Sequence, residues 1–273
     1  APRRRDVWMH HVHRDMRDDA WPAPLNSVGK FVETRVAPLL YRWSTFATLS
    51  ESSAQEIAEI GIPNDHLTVI PPGVHERFTP DESRRSRSPH VVIVGRLAPV
   101  KRQRLALEAL AETRRSIPEL TVELVGDGPD RDDVERWVSE HAASGWVTVR
   151  GRVPDEDLLD AYRRAWLVVS ASYAEGWGMS LTEAGACGTP CVATDIAGHR
   201  GAAVDGVTGR LVADDDLAQT VAELVADEQR RSEMSDAAIA HARGLSWTAV
   251  ATRHLDLLAD TVQDVGGAVR SSR

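Results

Sequence analysis

The sequence is poor in lysine and cysteine and has no long apolar run, and the shortages of cysteine and of apolar runs each exclude a class of protein. Its two cysteines, Cys187 and Cys191, provide neither a disulfide framework nor the spacing of a zinc site, so we expect buried thiols and a cytoplasmic protein. No uncharged apolar run approaches the roughly 20 residues that a membrane-spanning helix needs. The net charge of −9 argues against a nucleic-acid partner, because contacts to a phosphate backbone need a basic surface. Of 32 basic residues only Lys30 and Lys101 are lysine.

The remaining composition is that of a folded protein with about two domains. The chain has 273 residues, of which 42% are hydrophobic and 27% charged, so a packed core is expected. Strand and helix patterns alternate from residue 6 to residue 70, which is typical of half of a doubly wound parallel sheet. A second such series begins at residue 90 with the apolar run HVVIV, which suits a central parallel strand.

These patterns predict an α/β protein with four segments. Residues 1–78 form a first domain, and residues 79–89, which are polar and bounded by prolines, form a linker. Residues 90–245 form the second domain. Residues 246–273 are predicted to form a helix that packs back on the first domain.

A glycine-rich loop in the second domain is the strongest local signal. Ala174–Gly188 (AEGWGMSLTEAGACG) lies between two apolar runs, and its second half has a helical pattern that starts near Met179. A strand, a glycine turn and a helix N-terminus form an anion cradle, because the first helical amides have no partner within the helix. Two carboxylates, Glu175 and Glu183, flank this cradle and would repel a bare phosphate. The pattern therefore favours a ligand with both phosphates and hydroxyls, such as a nucleotide sugar.

Two basic residues follow the first strand of the second domain. Arg96 and Lys101 lie on either side of one loop at the carboxyl end of that strand, where open α/β sheets bind ligands. A guanidinium fork and a compact ammonium suit a diphosphate. The alternative is a solvated basic loop that continues into Arg102 and Arg104.

The two glutamates suit sugar hydroxyls. Glu183 offers two oxygens to a vicinal diol such as the ribose hydroxyls. Glu175 lies in the loop, where it would bind sugar hydroxyls or contact the reacting face of the sugar. The alternative is that both are ordinary surface glutamates. Gly151, Arg152 and Val153 end another strand at the same edge, where backbone groups would bind a base, although such a turn needs no ligand.

The histidines near the start of the chain allow two interpretations. His10, His11 and His13 lie within four residues, which invites a metal site, but alternation along a strand separates His10 from the other two. We predict no metal. His13, at the end of a predicted parallel strand, is a site candidate with a structural role as the alternative.

Taken together, these motifs resemble a known family. The stretches GRLAPVKR, VGDGP, RGRVP, EGWGMSLTEAGACGTPCVATDIAGHRG and VDGVTGRLV resemble the retaining glycosyltransferases of family 4, which have the GT-B fold. Glu175 and Glu183 match the glutamates of the E-x7-E motif of that family. The resemblance implies two Rossmann-like domains with a nucleoside-diphosphate sugar between them, retained anomeric configuration and no required metal or other cofactor.

The resemblance also implies a role for each matched residue. Arg96 and Lys101 match the diphosphate pair, Glu183 the ribose ligand and Glu175 the residue that faces the sugar. The histidine near the sugar is matched by His13. The backbone amides that bind sugar and phosphate are matched by those of Gly178, Met179, Ser180 and Leu181. Two residues depart from the family pattern: His75 stands where aspartate is usual, and Trp177 where phenylalanine is usual.

The resemblance further implies that the chain contains only the last part of the acceptor-side N-terminal Rossmann-like domain. We therefore expect a competent sugar-donor half, with hexosyl transfer as the leading hypothesis and a non-catalytic nucleotide-sugar-binding module or partner subunit as the alternative. A phosphorylase on this fold would need a cofactor lysine, of which the sequence gives no sign. The expected partner is a UDP, GDP or ADP sugar. The acceptor and the oligomeric state are left open, as is a peripheral membrane contact through the N-terminal domain.

Overall fold

The computed structural model describes residues 6–10, 25–41 and 43–270, and divides the chain into two compact units. Ala1–Gly73 and Leu245–Arg273 form the first unit, and Val74–Gly244 form the second. The strands are β1 (Asp6–Trp8), β2 (Thr45–Thr48), β3 (Leu67–Val69), β4 (His90–Val94), β5 (Thr121–Val125), β6 (Val147–Gly151), β7 (Leu167–Ser170), β8 (Cys191–Thr194) and β9 (Gly209–Val212). The α-helices are α1 (Leu25–Phe31), α2 (Ala37–Tyr41), α3 (Glu51–Glu59), α4 (Gln103–Ser116), α5 (Arg131–Glu140), α6 (Asp155–Arg164), α7 (Met179–Ala186), α8 (Ala197–Ala202), α9 (Leu217–Ala226), α10 (Glu228–Arg243) and α11 (Trp247–Arg270).

The first unit contains a three-stranded parallel sheet in the order β1-β2-β3. On it, Val250 of α11 packs against the buried Ala47 and Ile70. The start of α11 lies close to the chain that follows β3, because a Cβ on Gly73 would lie 2.6 Å from the Trp247 nitrogen. The C-terminal helix is thereby held against the N-terminal sheet.

The helical segment around Pro38 is interrupted. A π-helical segment, Val32–Val36, separates α1 from α2, and the Ala37 amide donates to the Val32 carbonyl, five residues back. Proline has no amide hydrogen and cannot make the regular bond to residue i−4. The widened turn just before Pro38 accommodates this loss, as π-bulges do elsewhere.

The second unit is built on a six-stranded parallel sheet in the order β6-β5-β4-β7-β8-β9. The predicted α/β class is confirmed, because every strand pairing in both sheets is parallel and helices connect successive strands. The direction in which strands are added reverses between β4 and β7. Loops that leave the carboxyl ends of these two neighbouring strands diverge there and open a crevice for ligands.

The core of the second unit follows from its apolar strands and the inner faces of its helices. Its buried members include Val91, Leu107, Leu110, Leu124, Leu167, Val192, Leu217, Val221 and Met234. Both cysteines are buried and free, as predicted, and burial raises the pKa of each thiol to about 12. Over the part of the chain that the structure describes, no helix combines the length and the apolarity needed to cross a membrane.

The predicted linker, residues 79–89, belongs to the second unit by its contacts. From it, the Arg85 guanidinium donates hydrogen bonds to the Ala165 and Gly188 carbonyls and to the Thr189 hydroxyl. One basic side chain of this polar stretch thus binds backbone carbonyls at the ends of α6 and α7. The limits of the four predicted segments stay predictions.

A carboxylate occupies a buried position on β5. Arg164 and Arg150 donate hydrogen bonds of 2.8 and 3.1 Å to the two oxygens of Glu123, and His90 Nε2 lies 3.3 Å from Oε2. Burial opposes ionisation of this carboxyl group, but the hydrogen bonds from His90 and Arg164 outweigh it and lower the pKa to about 2. The ionised Glu123 therefore links β4, β5, β6 and α6.

This network predicts a pH-dependent loss of stability. The Glu123 pKa rises from about 2 in the folded protein to 4.5 on unfolding, so its contribution is complete above pH 4.5 and is lost as the pH falls towards 2. The shift corresponds to about 3 kcal/mol. We expect Glu123→Gln to lower the free energy of unfolding in urea by about that amount at pH 7, and the difference from the wild type to shrink below pH 4.5. Glu119→Gln, at an exposed position, is the control; a difference that does not vary with pH would contradict the assignment.

Candidate functional site

Two predicted site residues meet where the sheet order reverses. Lys101, in the loop after β4, forms an ion pair with Glu175, in the loop after β7. The Ser172 hydroxyl donates a 2.7 Å hydrogen bond to the same oxygen, Glu175 Oε1. The Lys101 and Glu175 side chains are 26% and 12% exposed, so the pair is largely shielded but reachable from solvent. A cation and a carboxylate are thus held together at the ligand-binding edge of the sheet.

Two glycines shape the loop that carries Arg96 and Lys101. A Cβ on Gly126 would overlap the Gly95 carbonyl, and one on Gly128 would overlap the Leu97 carbonyl. The loops are also joined by hydrogen bonds from the Gly95 amide to the Val125 carbonyl and from the Leu97 amide to the Asp127 carbonyl. The Gly-Asp-Gly-Pro stretch therefore packs backbone to backbone against the loop that follows β4.

Substitution of Gly126 tests this support. Gly126 has a φ of +141°, which L side chains rarely adopt, and the clashing atoms are backbone. We expect Gly126→Ala to lower the free energy of unfolding by about 2–3 kcal/mol through overpacking and backbone strain. The control is Gly145→Ala, because a Cβ there meets nothing within 4 Å. Urea denaturation of both variants checks the prediction, and equal stabilities would contradict it.

The basic residues that follow Lys101 are engaged elsewhere. Arg102 binds Asp214 through two hydrogen bonds of 2.6 and 2.8 Å and donates to the Ala171 carbonyl, while Arg104 pairs with Glu108. Arg96 has an exposed side chain, and the structure shows no ion pair for it among the described residues. The loop is therefore not a uniform basic surface: Arg96 and Lys101 face solvent or the site, and Arg102 ties the loop to the rest of the unit.

The helix after the glycine-rich loop presents backbone donors. Gly178 precedes α7 and provides no side-chain cap. The Leu181 amide, one of the four predicted to bind a ligand, donates instead to the Gly178 carbonyl at 2.9 Å. Amides at the first positions of a helix have no partner within it, which leaves those of Met179 and Ser180 as donors.

Glu183, on the first turns of α7, is half-buried and has a partner that the sequence did not reveal. The Tyr162 hydroxyl, on α6, donates a 2.9 Å hydrogen bond to Glu183 Oε2. Burial raises the pKa of the Glu183 carboxyl, and the Tyr162 hydrogen bond opposes that rise. Nothing in the helical pattern of α6 distinguished this tyrosine from an ordinary core residue, so it was missed.

The Glu175 loop is supported from α8, which sequence analysis also missed. A Cβ on Gly198 would overlap the Glu175 carbonyl. Next to it, the buried His199 has Nδ1 2.7 Å from the Thr194 carbonyl and Nε2 3.2 Å from the Ser170 hydroxyl. Burial lowers the pKa of His199, which favours the neutral ring with Nδ1 as the donor. The Gly-His pair was visible in the sequence, but its spatial relation to Glu175 was not.

The other predicted residues do not join this cluster in the described structure. Arg152 is exposed and Val153 half-buried just beyond β6, at the same edge of the sheet. Trp177 is buried, and its indole nitrogen has no hydrogen-bond partner there. His13 lies outside the described residues. Within them, no three His, Cys, Asp or Glu side chains are grouped so as to hold a metal ion.

Comparison with known proteins adds evidence of relationship. The sequence model of the family described as "Glycosyl transferases group 1" matches residues 75–241, more than half of the chain. A D-inositol 3-phosphate glycosyltransferase of Nocardia farcinica is 33% identical over 242 residues, which cover 81% of this chain and 53% of that protein. A protein of the same name from Frankia alni is 35% identical over 209 residues, covering 68% and 51%. The chain thus spans about half the length of the curated relatives it matches.

Solved structures show similarity over most of the chain. The Anabaena protein HepE, crystallised with UDP and glucose, has a TM-score of 0.77 and 22% identity, covering 93% of this chain and 71% of its own. Sucrose-phosphate synthase from Thermosynechococcus elongatus has a TM-score of 0.80 and 22% identity, covering 95% and 68%. These similarities confirm the predicted GT-B fold.

Proposed function

This chain belongs to the group 1 glycosyltransferases, and from that membership we propose that it transfers a sugar from a nucleoside-diphosphate sugar to an acceptor hydroxyl. The observation that carries the proposal is the meeting of Lys101 and Glu175 where the sheet order reverses. A site for such a donor needs cations for the diphosphate and acceptors for the sugar hydroxyls. Both kinds of group occur there on neighbouring loops.

The diphosphate would be held by Arg96, Lys101 and the amides of Met179 and Ser180. In the reaction the bond from the anomeric carbon to the diphosphate oxygen breaks, and its electrons leave with the nucleoside diphosphate. Positive charge and oriented amides stabilise that developing negative charge. Phosphate oxygens would compete with Glu175 for the Lys101 ammonium, so donor binding would free the carboxylate to contact sugar hydroxyls.

The finer assignments follow the resemblance to family 4. We propose retention of the anomeric configuration, transfer of a hexosyl group, and no required metal. The acceptor hydroxyl would attack from the face that the diphosphate leaves, and would pass its proton to a phosphoryl oxygen. His13 would lie near the sugar, and the protein would act in the cytoplasm.

The substrates can be ranked for testing. Glu183 would bind the ribose, and the backbone at Arg152 and Val153 would bind the base. UDP comes first because HepE was crystallised with UDP, with GDP and ADP next. D-inositol 3-phosphate is the first acceptor to test, because the relatives carry it in their names. Release of free nucleotide from UDP-glucose and UDP-N-acetylglucosamine in its presence would measure transfer.

Lys101→Ala tests the diphosphate contact. Loss of one charge-assisted contact is expected to raise the dissociation constant of the preferred nucleotide by about 10- to 100-fold in calorimetric titrations. Saturating nucleotide at about 100 times its dissociation constant should add roughly 2.7 kcal/mol of stability to the wild type. Arg104→Ala, which removes an exposed cation paired with Glu108, is the control and should bind normally. Equal affinities in wild type and Lys101→Ala would overturn the diphosphate assignment.

Glu175→Gln separates catalysis from binding. We expect transfer to fall by about a hundredfold or more, because the sugar is no longer positioned. Nucleotide affinity should equal or exceed that of the wild type, because Lys101 loses the carboxylate that competes with phosphate. Glu140→Gln, at an exposed position, is the control. Undiminished transfer would overturn the role of Glu175, whereas a wild type that binds nucleotide and transfers no sugar would favour a non-catalytic binding module.

A further inference from the structure

We propose that Tyr162 is a positioning residue, which orients the Glu183 carboxylate and thereby sets how strongly the site prefers a ribonucleotide to a 2′-deoxyribonucleotide. The inference rests on the proposed function, in which Glu183 binds the ribose. It adds a residue from α6 to a site whose other members lie in loops and on α7.

Tyr162 is held rigidly. Its side chain is fully buried, and its ring packs edge-on against Phe78 with 5.8 Å between centroids. Its backbone carbonyl accepts a 2.7 Å hydrogen bond from the Thr189 hydroxyl. A phenol fixed in this way presents its hydroxyl group in one direction, towards Glu183 Oε2 at 2.9 Å.

The hydrogen bond from Tyr162 gives the two Glu183 oxygens different roles. Oε2 accepts from Tyr162, while Oε1 has no hydrogen-bond partner among the described residues. Without the phenol, the carboxylate is free to turn about its terminal bond, which is broad and nearly two-fold. A ligand hydroxyl would then have to order the carboxylate on binding, at a cost in affinity.

A purely structural role makes a different prediction. If Tyr162 only satisfies a half-buried carboxylate, its loss changes stability and alters all nucleotide affinities alike. If it orients Glu183 for ribose, its loss weakens the ribonucleotide and leaves the deoxynucleotide almost unchanged. The ratio of the two dissociation constants therefore separates the roles.

The test uses Tyr162→Phe in the full chain, which keeps the ring and removes only the hydroxyl. UDP, GDP and ADP are each titrated against their 2′-deoxy counterparts by calorimetry, after urea denaturation has established that the variant folds. We expect the wild type to prefer the ribonucleotide, and Tyr162→Phe to reduce that preference by about five- to tenfold. Thr182→Val is the control, because it deletes a buried hydroxyl on α7 that bonds the Met179 carbonyl and not Glu183; it should keep the wild-type ratio.

A second experiment tests the role of Tyr162 with a double variant. In a Glu183→Ala background the carboxylate is absent, so adding Tyr162→Phe should leave the ratio of the two dissociation constants unchanged. If the two residues acted independently, their effects on that ratio would add. An unchanged ratio in Tyr162→Phe, or an equal further loss in the double variant, would overturn the role of Tyr162 while nucleotide binding itself stands. A wild type that binds none of the three nucleotides would overturn the proposed function, and this inference with it.

Discussion

The contact on which the candidate site depends is the ion pair between Lys101 and Glu175. It joins loops that are more than seventy residues apart in sequence, and it exists because β4 and β7 are neighbours in the sheet. Each loop is held from behind by backbone packing that tolerates only glycine, at Gly126 under one loop and at Gly198 beside the other. A few side chains thus set the chemistry of the site. Their positions are fixed by the close approach of backbone segments at these two glycines.

Most of the architecture was predictable because it follows from local patterns. Apolar runs such as HVVIV predict buried parallel strands, and strand-turn-helix succession predicts a doubly wound sheet. Arg96, Lys101 and Glu175 could be selected because each lies in a loop that follows the carboxyl end of a predicted strand, and Glu183 because it lies in the helix that follows the glycine-rich loop. This rule uses only the order of residues along the chain, which is known in full from the sequence.

What the sequence could not reveal were partnerships across the fold. Tyr162 resembles any core residue of an amphipathic helix until α6 is seen to face α7. Arg102 and Lys101 are adjacent basic residues, yet one binds Asp214 and the other Glu175. Arg85 shows the same limit, because the polar composition of the predicted linker does not reveal that its guanidinium binds carbonyls at the ends of two helices. Such pairings depend on side-chain direction, which short-range patterns do not encode.

The buried thiols have a consequence for how the protein can be observed. Burial raises the pKa of Cys187 to about 12, so its thiol is protonated at pH 7 and should resist alkylation and oxidation while the fold is closed. It follows α7 one turn after Glu183, and Cys191 begins β8. The rate at which an added electrophile modifies these two thiols therefore reports how often the helix that carries Glu183 separates from the sheet. The two cysteines are thus internal probes of local opening.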